Sequence, residues 1–96
     1  MSNYTKGRAF EYETMKTWKE QGYTVARSAG SHSPVDVFAW KPDRKPELIQ
    51  CKQVSSHATA LRLITKFKAE VPPSSSFHQV LTIKTKGNKL RMSITL

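Results

Sequence analysis

The sequence predicts an α/β domain in which a mixed sheet of about five strands is flanked by two helices, in the order α-β-β-β-α-β-β. Three patterns predict it. Helix-forming composition runs over residues 5–21 and stops at Gly22, a residue type common just past a helix end. Two β-prone runs, 35–40 and 47–53, are separated by a turn edged by Pro42 and Pro46. Residues 89–96 alternate, with Leu90, Met92, Ile94 and Leu96 on one face and Lys89, Arg91, Ser93 and Thr95 on the other.

The remaining elements follow in order. Residues 23–27 form a short strand, and 28–34 a loop of small and hydroxyl residues. The runs 35–40 and 47–53 then pair as a hairpin. Over residues 57–70, Leu61, Ile64 and Phe67 fall at helical spacing while Thr59, Arg62 and Lys66 share a polar face, which gives an amphipathic second helix. The stretch Pro72-Pro73-Ser74-Ser75-Ser76 closes it, and residues 77–85 form the next strand before the Lys86-Gly87-Asn88 turn. No repeat or linker divides the chain, so residues 1–96 are expected to be a single domain.

At 96 residues a single core is near its lower size limit, and dimerisation is a natural way to gain buried area. No apolar run approaches the roughly 20 residues of a membrane span, and no apolar segment follows the N-terminal charges. The lone Cys51 excludes an internal disulfide and a zinc-binding cysteine cluster. A soluble protein in a reducing, intracellular setting is expected, cytoplasmic or beside the nucleoid, from a cellular or a virus-encoded source. Sixteen Lys and Arg against seven Asp and Glu give a net charge of +9. A polyanion relieves that self-repulsion most directly, which makes nucleic acid the expected partner.

Within the hairpin, residues 48, 50 and 52 share one face of their strand, so Gln50 and Lys52 project together and Asp36 can lie near the same point. Glu47 has the wrong parity to join them. An Asp carboxylate and an amide oxygen are hard donors suited to Mg²⁺, which keeps several waters. A neighbouring lysine orients or helps deprotonate a metal-bound water, or offsets charge on a phosphate under attack. Cys51 points the other way and reads as a small core residue. On the first helix, with Phe10 as origin, Trp18, Glu11 and Met15 fall at roughly 80°, 100° and 140°, which sets Glu11 inside the apolar arc. A carboxylate there is expensive unless it pairs with a basic residue at the rim or contributes to the metal site.

These residues occur in a recognisable order. Lys6-Gly7-Arg8-Ala9-Phe10-Glu11, the run 22–27 ending at Arg27, Ala29-Gly30-Ser31, Val35-Asp36-Val37 and Leu48-Ile49-Gln50-Cys51-Lys52 together resemble the archaeal-type Holliday-junction resolvases of the PD-(D/E)xK nuclease superfamily. The resemblance covers about residues 6–53. It implies a restriction-endonuclease-like core and a homodimeric endonuclease that resolves four-way DNA junctions by Mg²⁺-dependent phosphodiester hydrolysis with paired symmetric cuts. Mn²⁺ is expected to substitute, and no other cofactor is implied. Carried over by position, Asp36 is the metal-binding aspartate, Lys52 the motif lysine, Glu11 the helix glutamate that assists the metal site, Ser31 the loop serine near the scissile phosphate and Arg27 the basic residue before that loop. Pro34 does not directly precede Asp36, so the PD pair is spread by one residue. The main departure is Gln50, which stands where the family has an acidic residue: it keeps an oxygen donor and loses a charge.

Lys6, Arg8, Arg27, His32, Arg62 and Lys66 are candidate phosphate contacts. His57 and His78 have no partner at ligand spacing and read as structural, and Trp18 and Trp40 read as core. Two other readings compete: a nuclease of the same superfamily acting on other DNA, and a non-catalytic junction-binding module, for which Gln50 is the positive sign.

Overall fold

The computed structural model describes residues 3–28, 35–72, 74–85 and 91–96, with side chains from Arg8 onward. Its elements are α1 (Asn3–Glu20), β1 (Thr24–Arg27), β2 (Val37–Trp40), β3 (Glu47–Val54), α2 (His57–Glu70), β4 (His78–Thr85) and β5 (Arg91–Thr95). This is the expected order, with strand ends differing by a residue or two: β3 runs one residue longer than expected and the others are shorter. The strands form one sheet in the order β1-β2-β3-β4-β5. Neighbours are antiparallel except β3 and β4, which run parallel and are joined by α2, as a parallel pair requires a long crossover.

The end of α1 shows how local chemistry sets an element boundary. Gly22 adopts φ 93°, the Gly22 amide donates to the Lys19 carbonyl at 3.0 Å, and the Tyr23 amide reaches back to the Trp18 carbonyl at 3.2 Å. That pairing is a Schellman cap. Its usual apolar clasp is present as well, the rings of Trp18 and Tyr23 meeting edge-on at 4.9 Å. Lys41 adds to the cap, its Nζ donating to the Gln21 carbonyl at 3.1 Å and lying 4.4 Å from the centre of the Tyr23 ring. At α2 the cap is Ser56, whose side chain accepts from the Thr59 amide.

The sheet is covered on both faces. On one, Val37, Ala39, Ile49 and Val80 are buried beneath Met15 and Trp18 of α1. On the other, Leu81 and Ile83 pack with Ala60 and Phe67 of α2, and Met92, Ile94 and Leu96 join them. The alternation predicted for the last strand therefore holds, its apolar residues half-buried and its polar ones exposed.

Two core assignments are corrected. Leu61 is 47% exposed, because the buried stripe of α2 runs through Ala60, Leu63, Ile64 and Phe67, and Leu61 sits about 100° round the helix from Ala60. Trp40 is 43% exposed: Val37 and Ala39 point towards α1, so by strand parity Trp40 points to the face where α2 lies over β3 and β4. Trp18 packs against the core as expected.

Ion pairs tie the layers together in ways the sequence does not announce. Glu13 of α1 accepts from Lys84 at 3.1 Å and from Arg91 at 2.6 Å, so it grips β4 and β5. His78 is structural, as expected, and has a partner: its Nδ1 lies 2.8 Å from Glu47 Oε1, the two residues being opposite in the β3–β4 register. Glu47 is 6% exposed and faces away from Gln50 and Lys52, as its parity requires.

Three outcomes test this packing. Ile49→Ala is expected to lose about 2–5 kcal/mol in urea unfolding, the usual cost of a core cavity. Gly22→Ala is expected to cost about 1 kcal/mol through backbone conformation alone, since nothing lies within 4 Å of the added methyl group. The bond from Lys84, with that from Arg91, holds the Glu13 carboxyl below its ordinary value of 4.5 against the opposing effect of burial. A depressed carboxylate stabilises the fold above the unfolded value and stops doing so as pH falls through the folded one. Melting temperatures of Glu13→Gln should accordingly fall less between pH 5 and pH 3 than those of the wild type.

Candidate active site

The hairpin carries three of the candidate residues, Asp36, Gln50 and Lys52. The β2–β3 ladder ends at Val37 opposite Ile49, and the Asp36 amide still reaches the Ile49 carbonyl at 2.9 Å. There a side chain takes over from the main chain: Asp36 Oδ2 accepts from the Cys51 amide at 2.8 Å. On its other side the Asp36 carbonyl accepts from the Ser28 amide at 2.9 Å. Three bonds thus hold Asp36 between the end of β1 and the middle of β3, its carboxylate against the backbone between Gln50 and Lys52.

Strand alternation separates the rest. Ile49 and Cys51 face the α1 core, whereas Gln50 and Lys52 line a groove of about 450 Å³ beneath α2, with Lys66 and Glu70 among its walls. Arg62, also on α2, is exposed and is not among the residues lining that groove.

Glu11 comes from the α1 side. Its Oε1 accepts from Arg27 Nη1 at 3.3 Å, both side chains being about three-quarters buried. Of the two resolutions open to a carboxylate in the apolar arc, pairing with a basic residue is thus realised, and Arg27 is one of the candidate phosphate contacts. The Arg27 guanidinium also lies 5.3 Å from the centre of the Tyr12 ring, a cation–π contact not foreseen from sequence, although Tyr12 adjoins Glu11. Arg8 is half-buried on α1. Ser31 and His32 lie outside the described residues, as does the side chain of Lys6.

Cys51 lies between Gln50 and Lys52 in the chain and packs on the α1 side of β3. Its Sγ lies 3.5 Å from Thr14 Oγ1, and the Thr14 hydroxyl donates in turn to the Phe10 carbonyl at 2.9 Å. Burial pushes the thiol up to about 12, and the charges of Asp36 and Glu11 push it in the same direction. The thiol itself is no nucleophile, since thiolate is the reactive form.

Among the described residues, no three of His, Cys, Asp and Glu come together as a metal-binding group. The donor set of the hairpin is accordingly poor in charge: one Asp36 carboxylate, with an oxygen beyond the one bonded to Cys51, and the Gln50 amide oxygen. Hard oxygens in small number fit Mg²⁺, which dehydrates reluctantly and completes its shell with water and phosphate. They do not suit a softer metal that needs imidazole or thiolate.

The thiol gives a direct check on this arrangement. In the native protein at pH 8, iodoacetamide should modify Cys51 at least about tenfold more slowly than in urea, where the thiol returns to its ordinary range.

Comparison with known proteins bears on the fold and the family. Among solved structures, the chain is similar to Hjc, a Holliday junction resolvase from the archaeal hyperthermophile Archaeoglobus fulgidus, at 20% identity with a TM-score of 0.54. The match covers 85% of this chain and 66% of that one, so this chain spans a little under two thirds of its length. At such identity the likeness speaks for the fold. No curated protein sequence matches the chain. No described helix is long and apolar enough to cross a membrane. A sequence model of the archaeal Holliday junction resolvase (hjc) family matches residues 2–92, nearly the whole length, and the chain belongs to that family.

Proposed function

We propose that this protein is a structure-selective DNA endonuclease that resolves four-way junctions by Mg²⁺-dependent phosphodiester hydrolysis, acting as a homodimer that makes paired symmetric cuts. The observation that carries the reading is the bond from the Cys51 amide to Asp36 Oδ2, which holds a carboxylate at the stretch of β3 from which Gln50 and Lys52 project. Family membership supports junction DNA as the substrate, and the net charge of +9 supports a polyanionic partner.

Asp36 and Gln50 would hold the ion, which supplies Lewis-acid polarisation of the phosphate. Lys52 offsets the negative charge that builds on the phosphate during attack, a role suited to an ammonium group beside a partly dry groove. Arg27, fixed by Glu11 and Tyr12, presents a pre-oriented guanidinium to the backbone of the DNA. In this role Glu11 assists the site through Arg27, which it holds in place. Ser31 is proposed to lie near the scissile phosphate and His32 to contact a phosphate of the DNA backbone. Two cuts of matching geometry need two active sites related by a dyad, which a homodimer provides.

The test is cleavage of a four-way junction compared with a linear duplex of the same sequence in Mg²⁺. The expected result is cutting of the junction alone, reduced at least about 100-fold by Asp36→Ala and by Lys52→Ala. Gln50→Glu restores a negative ligand and should keep or raise activity; a dead variant would refute the role given to Gln50. Equal cutting of both substrates would indicate a nuclease with another DNA target. The amide at Gln50 and the lack of a three-residue metal group among the described residues favour one further reading, a junction-binding module. Tight binding with no cuts in Mg²⁺ or Mn²⁺ would establish it.

A further inference from the structure

The groove between β3 and α2 holds more than the proposed chemistry uses. Its apolar wall is made by Leu63 and Phe67 of α2 with Leu81 of β4, and polar groups stand around it: Gln50, Gln79, Lys52, Lys66 and Glu70. Phe67 and Leu81 are buried, and Gln79 is steadied by a bond from its Nε2 to the Pro72 carbonyl at 3.0 Å. Lys52, Lys66 and Glu70 are exposed, free of the core and open to a ligand.

We propose that this groove binds one unpaired nucleotide of the DNA, with guanine preferred. A nucleotide has an apolar ring face, an edge of hydrogen-bond donors and acceptors, and an anionic phosphate, and the groove offers a counterpart to each. Leu63, Val71 and Pro72, each at least partly exposed, supply the surface on which a ring packs, over the buried Phe67 and Leu81. Lys52 and Lys66 supply the charge for its phosphate. The volume of about 450 Å³ is that of a small-molecule site.

Glu70 sets the preference. A carboxylate repels phosphate, so its presence beside two lysines is a cost in a surface that only tracks the DNA backbone. As an acceptor with two oxygens it suits a pair of adjacent N–H donors. Among the four DNA bases only guanine presents two such donors side by side, N1–H and N2–H₂, and it does so on the edge that Watson–Crick pairing covers. Glu70 therefore recognises guanine only where the base is unpaired, as at a branch point or in a single strand. Thymine has no amino group to offer and is the base most disfavoured.

The assignment of DNA as the source of the nucleotide rests on the proposed nuclease function; the groove itself is tested without any cleavage. Titration of the ¹⁵N-labelled protein with each of the four deoxynucleoside monophosphates, metal-free, should shift the amides of Leu63, Gln79 and Leu81. Binding of dGMP should be at least about fivefold tighter than that of dTMP, the range of a single bidentate base contact. Glu70→Gln should abolish that preference while dTMP binding stays or strengthens, and Lys66→Ala should weaken all four. Lys68→Ala, an exposed basic residue on the same helix outside the groove, should change neither.

Shifts scattered over the basic surface with no base preference would overturn the proposal, as would an unchanged dGMP preference in Glu70→Gln. Groove binding by a protein that cuts no junction would overturn the proposed function and leave the groove standing. Junction cutting without groove binding would do the reverse.

Discussion

The bond between the Asp36 carboxylate and the Cys51 amide occupies the place where the β2–β3 ladder gives out. A carboxylate there serves the fold and the site at once. It satisfies a backbone donor that the parting strands would leave without a partner, a group costly to bury alone. In doing so it is held still, which would spare an ion taken up by its other oxygen, as proposed, the entropic cost of ordering the carboxylate. The Ser28 and Cys51 amides, both bonded to Asp36, link β1, β2 and β3 through this one residue.

From that point the two faces of β3 divide the work. Ile49 and Cys51 turn to α1, Ile49 fully buried and Cys51 partly, and that burial keeps the thiol protonated. Gln50 and Lys52 turn to α2 and line an open groove. Glu11 and Arg27 approach from the α1 side, each neutralising the other's partly buried charge. A site poor in negative charge is consistent with Gln50 standing where the family has an acid, and with a protein whose net charge of +9 already disfavours cations.

Ion pairs between layers supplement a small core. Glu13 to Lys84 and Arg91, and Glu47 to His78, each join residues distant in the chain. Glu47 is the less comfortable of the two, since its Oε2 is buried with no partner among the described residues. A half-satisfied buried carboxylate lowers stability, and nothing in the described structure offsets it beyond His78.

Periodicity and turn chemistry in the sequence determined every element, because each is encoded within a few residues: Gly22 ends α1, Ser56 begins α2, and the period-two runs make the strands. The same period paired Gln50 with Lys52 and turned Glu47 and Cys51 away. The family was legible from residues 6–53 because its motifs come in a fixed order. What periodicity cannot express is which residues meet across elements. Whether Glu11 would bind metal or pair with Arg27 depended on where β1 crosses α1. Leu61 and Trp40 were apolar at strand or helix spacing, but their exposure was decided by how far α2 reaches over the sheet. The groove that sets Glu70 and Lys66 beside Gln50 and Lys52 exists only because the parallel pairing of β3 and β4 draws α2 back across that face. Contacts of this kind are made by the packing of distant segments, and only the tertiary structure fixes them.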